Sequence, residues 1–327
     1  MPVMSYIQAV TKALQEEMQR DENVFVLGED VGKRGGVFRA TDGLYDEFGE
    51  ERVIDTPLAE SAIAGVGIGA AMYGKRPVAE MQFADFIMPA VNQIISEAAK
   101  MRYRSNNDWS APMTIRAPYG GGVHGALYHS QSVESVFANQ PGLKIVMPST
   151  PYDVKGLLKA AIRDDDPVLF FEHKRAYRLI KGEVPEDDYT LPIGKADVKR
   201  EGSDVTVITY GLCVNFALQA AEKLAEEGID AHILDLRTVY PLDQEAIIEA
   251  AKKTGKVLLV TEDNKEGSII GQVSAIIAEN CLFDLDAPVQ RLAGPDVPSM
   301  PYAPTMEKYF MMNPDKVEQA MRDLAEF

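Results

Sequence analysis

The chain has 327 residues, 46% hydrophobic and 25% charged, with 33 basic and 50 acidic side chains. That length exceeds one comfortable core and makes two domains the prior, while no apolar run is long enough to span a bilayer. A net charge of −17 disfavours nucleic acid and anionic membranes as partners and fits plain solubility or a basic partner.

The N-terminus, Met-Pro-Val-Met-Ser, has neither the basic flank nor the apolar core of a secretory signal. Two cysteines, Cys213 and Cys281, cannot build a disulfide framework or a metal cluster. Both fall in segments expected to be buried, where a free cysteine acts as a small hydrophobe, and a reducing cytoplasm follows.

Ser5 with Gln8 is a capping box, and Ile7, Val10, Leu14 and Met18 then repeat at helical spacing. Val24 to Leu27 is a buried strand that ends at Gly28-Glu29-Asp30, and acids just past a strand end lie where open α/β sheets gather their sites. The glycine-rich loop 32–38 lacks the Gly-Lys-Ser/Thr ending of a phosphate cradle. Asp55-Thr-Pro-Leu-Ala-Glu60 leads into a helix laced with Gly65, Gly67 and Gly69. These glycines lie too far past the strand for a dinucleotide fingerprint, and glycine inside a helix costs about 1 kcal/mol against alanine. A close approach of another element, and hence a buried interface, accounts for them better.

Glu60 itself stands among apolar and small residues. Such surroundings raise a carboxyl's pKa and suit it to proton donation near neutrality; the alternative is a solvated acid in the first turn of a helix. Arg76 to Met81 is a strand, after which Gln82 to Phe86 lead into a long helix with Ala90, Val91, Ile94, Ile95, Ala98 and Met101 on one face. Met113 to Ala117 opens into a long glycine-rich loop, 118–134, that holds His124 and His129, two of only four histidines. Their spacing is not that of a helical zinc pair. A single histidine acting as proton shuttle fits better, against a structural histidine satisfied by backbone.

Strand Leu143 to Met147, a helix capped by Thr150 and running to Ile162, and strand Val168 to Phe171 close this half. Strands alternating with helices predict a parallel sheet with right-handed crossovers. Residues 174–193 read as a linker. A second βα series follows: strands Val205 to Tyr210, Ala231 to Leu236, Val257 to Val260 and Val289 to Leu292. Its helices run from about Asn215, from Asp243 to Lys253, from Ile269 to Glu279 and from Pro314 to Leu324. No Gly-x-Ser-x-Gly elbow of a hydrolase occurs.

Leu-Gly-Glu29-Asp-Val, Asp-Thr-Pro-Leu-Ala-Glu60, Met-Gln-Phe-Ala-Asp-Phe86, His-Gly-Ala-Leu-Tyr-His129-Ser-Gln-Ser and Leu-Asp-Leu-Arg237-Thr-Val-Tyr-Pro241 occur in that order. In these motifs, and essentially end to end, the chain resembles the beta subunit of the thiamine-diphosphate-dependent decarboxylase component of 2-oxoacid dehydrogenase complexes. The wording is closest to the branched-chain type, with pyruvate (or acetoin) enzymes second.

The resemblance implies an α/β fold in two parts, a pyrimidine-binding domain over 1–185 and a transketolase-C-terminal-like domain over 194–327. It implies that Glu60 hydrogen-bonds the cofactor's pyrimidine nitrogen and promotes the imino tautomer that deprotonates the thiazolium carbon. Leu58 and Phe86 would line the pyrimidine, Gln82 would neighbour it, and Glu29 would stand behind Glu60. His129 would manage protons during decarboxylation and acyl transfer to lipoyl groups of the acyltransferase core.

The magnesium–diphosphate motif of the superfamily is missing, Thr41-Asp-Gly43 being its only echo. A separate alpha subunit is therefore expected to hold diphosphate and magnesium, in an α₂β₂ heterotetramer. Some members also bind potassium at positions matching Ala111, Met113, Thr114, Ala161, Asp164 and Asp166, although Asp166 replaces the usual asparagine. Asn215 stands where relatives often carry histidine. Two other readings differ in class: a scaffold without chemistry, and a self-sufficient transketolase-like enzyme.

Overall fold

A computed structural model describes all residues from Met1 to Phe327, and its internal contacts divide the chain into two α/β units. The first comprises Met1–Tyr119 with Val136–Ile193, the second Gly120–Ser135 with Gly194–Phe327. No helix is long and apolar enough to cross a membrane.

In the first unit a short strand, β1 (Val3–Ser5), precedes the helix Tyr6–Arg20. The capping box forms: the Ser5 N–H donates to Gln8 Oε1 at 2.8 Å, and the Gln8 N–H donates to Ser5 Oγ at 3.4 Å. Val10, Leu14 and Met18 are buried as their spacing predicts, and Glu17 is buried beside them. Its carboxylate takes Arg163 at 2.6 Å and Arg20 at 2.8 Å, which fastens this helix to the helix Pro151–Arg163.

The strands β2 (Val24–Gly28), β3 (Val53–Asp55), β4 (Arg76–Glu80), β5 (Thr114–Tyr119), β6 (Lys144–Val146) and β7 (Val168–His173) lie in the order β6-β7-β5-β4-β2-β3. Every pairing among them is parallel, so all six carboxyl ends share one edge. There Gly28 stands opposite Asp55 on one side and Glu80 on the other.

Two sequence expectations need correction here. The long helix after Phe86 is instead a 3₁₀ segment, Ala84–Ala90, a π segment, Gln93–Ala98, and a short α-helix, Met101–Arg104. Pro89 lacks an N–H to give to a helical ladder, and the wider π turn absorbs the mismatch while Ile87, Ala90, Ile94, Ala98 and Met101 still face inward. The stretch 174–193 is not a bare linker. It forms the helix Ala176–Leu179 and the strand β8 (Lys181–Glu183), which pairs antiparallel with β1. The buried Lys155 ammonium then holds the chain beyond it through the carbonyls of Pro185 and Asp187, at 2.8 and 3.2 Å.

The glycines after Glu60 divide in purpose. A Cβ on Gly67 would come 2.7 Å from the Met113 methyl, so that glycine serves packing inside the chain. Gly69 meets nothing within 4 Å and lies on an exposed face with Ala62 and Val66.

The second unit carries β9 (Asp197–Arg200), β10 (Val205–Thr209), β11 (Ala231–Asp235), β12 (Val257–Asn264) and β13 (Gln290–Gly294), in the order β13-β12-β10-β11-β9. Only the edge strand β9 is antiparallel. Both cysteines are buried and unpaired, as predicted. Facing β13, the register of β12 slips between Val260 and Asn264, a bulge of the kind that re-aims side chains. Thr261, Glu262 and Asp263 lie within it.

Gly142 marks a position only glycine fills. Its φ is +103°, and a Cβ would fall 1.9 Å from the Ala99 carbonyl oxygen at the end of the π segment. We expect Gly142→Ala to lower stability by about 2–4 kcal/mol, read as a shift in the urea midpoint; an unchanged midpoint would contradict this packing.

Candidate functional site

The carboxyl edge of the first sheet gathers polar side chains from three adjacent strands, acids past two of them and an amide past the third. Past β2 come Glu29 and Asp30; past β3, the turn through Leu58 delivers Glu60; past β4 comes Gln82. Glu60 opens the helix Glu60–Met72, whose N-cap, Ala59, offers no side-chain acceptor. An acid at that first turn complements the helix dipole. Glu60 is nonetheless only 7% exposed, so it occupies the first turn without being solvated.

Glu29 is 8% exposed, and its Oε1 is buried with no hydrogen-bond partner. Burial, then the neighbouring charges of Glu60 and Asp30, hold its carboxyl above the ordinary range. That the Glu60 charge acts on Glu29 makes the two carboxyls neighbours. Gln82 Nε2 reaches Asp30 Oδ2 at 3.5 Å. Phe86 is half-buried, its ring edge-on to Phe83 at 5.7 Å, and Phe83 in turn meets Phe38 at 5.4 Å. Leu58, at 77% exposed, presents an uncovered apolar side chain at the rim of this group.

Beneath the edge lies a network that the sequence reading missed. Arg116 on β5 is fully buried, donating through Nη1 to Glu80 at 2.6 Å and through Nε and Nη2 to the two oxygens of Glu172, each at 2.6 Å. The Tyr177 hydroxyl adds a 2.6 Å bond to Glu172. Burial raises the Glu80 carboxyl, and Arg116 offsets part of that. Burial works against the Arg116 charge, but Glu172 and Glu80 outweigh it. One signal was available: Arg116 is the one charge inside its strand, and Glu80 and Glu172 are acids that follow apolar runs at the carboxyl ends of theirs.

His124 and His129 lie on the segment Gly120–Ser135, which belongs with the second unit. His124 Nδ1 pairs with Glu307 at 2.5 Å, which gives it a structural partner. His129 follows a 3₁₀ turn, Ala126–Tyr128, and is half-buried. Nearby, Tyr210 donates to Glu134 at 2.8 Å and Ser135 donates to Asp263 at 2.6 Å. Burial, with the charges of Asp263 and Glu262, pushes Glu134 up to about 8.

The potassium set is contiguous but already engaged. The carbonyls of Ala111, Met113 and Ala161 accept backbone N–H groups at 2.8, 3.0 and 3.3 Å, and the Asp164 carbonyl accepts Arg76 at 2.9 Å. Lys144 pairs with the Asp164 carboxylate at 2.6 Å and Arg102 with Asp166 at 2.6 Å. Thr114 Oγ1 is buried without a partner. Thr41-Asp-Gly43 is taken up by the fold: the Thr41 hydroxyl donates to the Val31 carbonyl at 2.7 Å, and Gly43 caps the helix Leu44–Phe48.

An acid pair at the carboxyl edge of a parallel sheet, followed by a second α/β unit, defines a chain of the transketolase type. Family models agree: "Transketolase, pyrimidine binding domain" matches residues 3–180, and "Transketolase, C-terminal domain" matches residues 194–317. A solved structure described as a split gene transketolase, inactive beta4 tetramer, is similar with a TM-score of 0.80. It shares 24% identity over 99% of this chain and 98% of that one, a likeness that carries the fold alone.

The chain is 83% identical over 327 residues to the 2-oxoisovalerate dehydrogenase subunit beta of Bacillus subtilis (strain 168), the whole of both chains being covered. It is 50% identical, again over the whole of both, to the pyruvate dehydrogenase E1 component subunit beta of the same organism. To the Staphylococcus aureus pyruvate dehydrogenase beta subunit it is 44% identical over 99% of each chain. The chain belongs to the family of 2-oxoacid dehydrogenase beta subunits. The order of these identities bears out the sequence reading, branched-chain type before pyruvate type.

The raised Glu134 carboxyl predicts a pH dependence. Between its ordinary value of 4.5 and about 8, the folded chain keeps a proton that the unfolded chain releases, so this group's contribution to stability falls as pH rises through that window. We expect Glu134→Gln to remove a slope of up to about 1.4 kcal/mol per pH unit. Urea denaturation of both proteins from pH 5 to 9 measures it, and parallel stability curves would contradict the assignment.

Proposed function

We propose that this chain acts with a separate alpha subunit, as an α₂β₂ heterotetramer, in oxidative decarboxylation of branched-chain 2-oxoacids. The acyl group would pass to lipoyl arms of an acyltransferase core. The observation that carries the site assignment is the buried Glu29–Glu60 pair, one of whose oxygens is held from water without a partner. Such a pair would take a ring with polar nitrogens, with Phe86 as its aromatic wall and Leu58 as its apolar rim.

When bound, thiamine diphosphate supplies the carbanion chemistry that lets a 2-oxoacid release carbon dioxide. The residues of this chain bind, orient and exchange protons. Glu60 holds the pyrimidine nitrogen by a hydrogen bond. Glu29, its carboxyl held above the ordinary range by burial and the Glu60 charge, stands beside it as a second acid of the pocket. Gln82 orients the polar edge through Asp30, Phe86 and Leu58 fix the ring plane, and His129 carries protons to and from substrate and lipoyl group. Magnesium and the diphosphate fall to the alpha subunit.

The setting we infer is cytoplasmic, supported by two buried free thiols. An 83% identity to a branched-chain enzyme against 50% to a pyruvate enzyme supports the substrate class. With the alpha subunit present, Glu60→Gln should lower turnover of branched-chain 2-oxoacids at least about 100-fold with assembly intact. Full activity of that variant would leave only the scaffold reading.

A monovalent cation near Thr114 is part of the proposal, supported by its partnerless hydroxyl. A carbonyl that already accepts one hydrogen bond keeps a second lone pair for such an ion. Replacing potassium by choline should lower the melting temperature of the wild-type chain by roughly 2–4 °C and leave Thr114→Val unmoved. Equal responses of the two proteins would remove the site.

A further inference from the structure

The loop Gly120–Ser135, which carries His129, is gripped at both ends by acidic side chains of its own unit. At the leading end Glu262 accepts the Gly121 N–H at 2.6 Å, and Glu307 accepts the His124 N–H at 3.2 Å and pairs with its ring at 2.5 Å. At the trailing end stand the Tyr210–Glu134 bond and the Ser135–Asp263 bond. A backbone bond from the Gly120 N–H to the Gln131 carbonyl, at 3.0 Å, closes the neck between them.

Inside the neck the backbone is tightly bent. His124 and Ala126 both lie in the left-handed region, with φ of 55° and 52°. A Cβ on Gly125 would come 2.6 Å from the His129 Cβ, so the turn folds directly onto the histidine. Strained residues of this kind persist only where the surroundings over-determine them. The four acids, drawn from the β12 bulge, the loop itself and the helix Pro304–Phe310, supply that constraint.

We propose that Glu134 and Tyr210 are a positioning pair for His129, a clasp that fixes the trailing end of its loop and so aims the imidazole. The proposal rests on the proton-carrying role of His129 stated above and assigns no chemistry to the pair itself. The geometry is a relay: the single Tyr210 hydroxyl hydrogen goes to Glu134 Oε1, so Thr261, 2.7 Å away, donates to Tyr210. The titratable groups facing Glu134 are Asp263, Glu262, Tyr210 and the Cys213 thiol, each neutral or negative. A neutral Glu134 is therefore compatible with the clasp. Its ionisation sets another negative charge beside Asp263 and Glu262 and loosens the loop.

Two measurements test this, one without reference to catalysis. Amide hydrogen exchange across the loop, corrected for intrinsic base catalysis, is followed in the full chain at pH 7 and 9. Wild-type protection should fall about tenfold over that interval, while Glu134→Gln, permanently neutral and of the same shape, should change less than about twofold. Tyr210→Phe should show the loosened loop already at pH 7. In the enzyme reconstituted with the alpha subunit, Tyr210→Phe should lose about tenfold in kcat with little change in KM. The alkaline limb of the wild-type rate profile should move to higher pH in Glu134→Gln.

Exchange in Glu134→Gln that rises with pH as in wild type overturns the clasp, as does wild-type protection in Tyr210→Phe. An unmoved alkaline limb overturns its link to activity. His129→Ala is run in parallel. Full activity in that variant overturns the role of His129 on which the proposal rests, and the exchange data, independent of turnover, keep that failure distinct from failure of the clasp.

Discussion

A single guanidinium, wholly buried in the first sheet, bonds carboxylates on the two strands beside its own. Removing ions from water costs several kcal/mol each, and attraction offsets that only when geometry is good and the remaining donors are used. Arg116 meets the condition with three bonds of 2.6 Å, and the Tyr177 hydroxyl completes Glu172. A planar fork suits this better than a lysine ammonium could. The network fixes the relative height of β4, β5 and β7 just where their carboxyl ends must present the next residues.

The acids of this chain fall into two groups with different physics. Glu17, Glu80 and Glu172 are buried against arginines and hold elements together. Glu29 and Glu134, buried, and Asp263, half-buried, stand beside other acids, and loss of water raises all three carboxyls. The first group sets positions; in the second each acid's proton is held more tightly than usual, most of all at Glu134, pushed up to about 8. A chain with a net charge of −17 can place such groups side by side because a neutral carboxylic acid costs far less to bury than a carboxylate.

Much of this was legible in sequence because period and punctuation carry local physics. The capping box at Ser5, the Thr150 cap and the alternation of apolar runs with helical spacing gave the parallel sheets directly. The proximity of Glu29 and Glu60 came from the family resemblance, and the sheet supplies its reason: both follow the ends of neighbouring parallel strands, which share one edge. The long helix after Phe86 misled because its apolar spacing survives in a chain whose pitch changes from 3₁₀ to π to α; periodicity reports which face is buried, not how tightly the turns are wound. Arg116, Glu80 and Glu172 showed only as isolated charges, since their pairing depends on strand order. The grip on the His129 loop joins residues 76 to 183 positions apart and left no local trace.

The central claim is that this chain contributes one half of a shared site, the Glu60 half, and cannot hold the cofactor alone. Isothermal titration calorimetry with thiamine diphosphate and magnesium tests it most directly, on the isolated chain and on the chain combined with its alpha subunit. The account predicts no measurable heat of specific binding for the chain alone and saturable binding for the combined enzyme. Tight, stoichiometric binding to the isolated chain would contradict it.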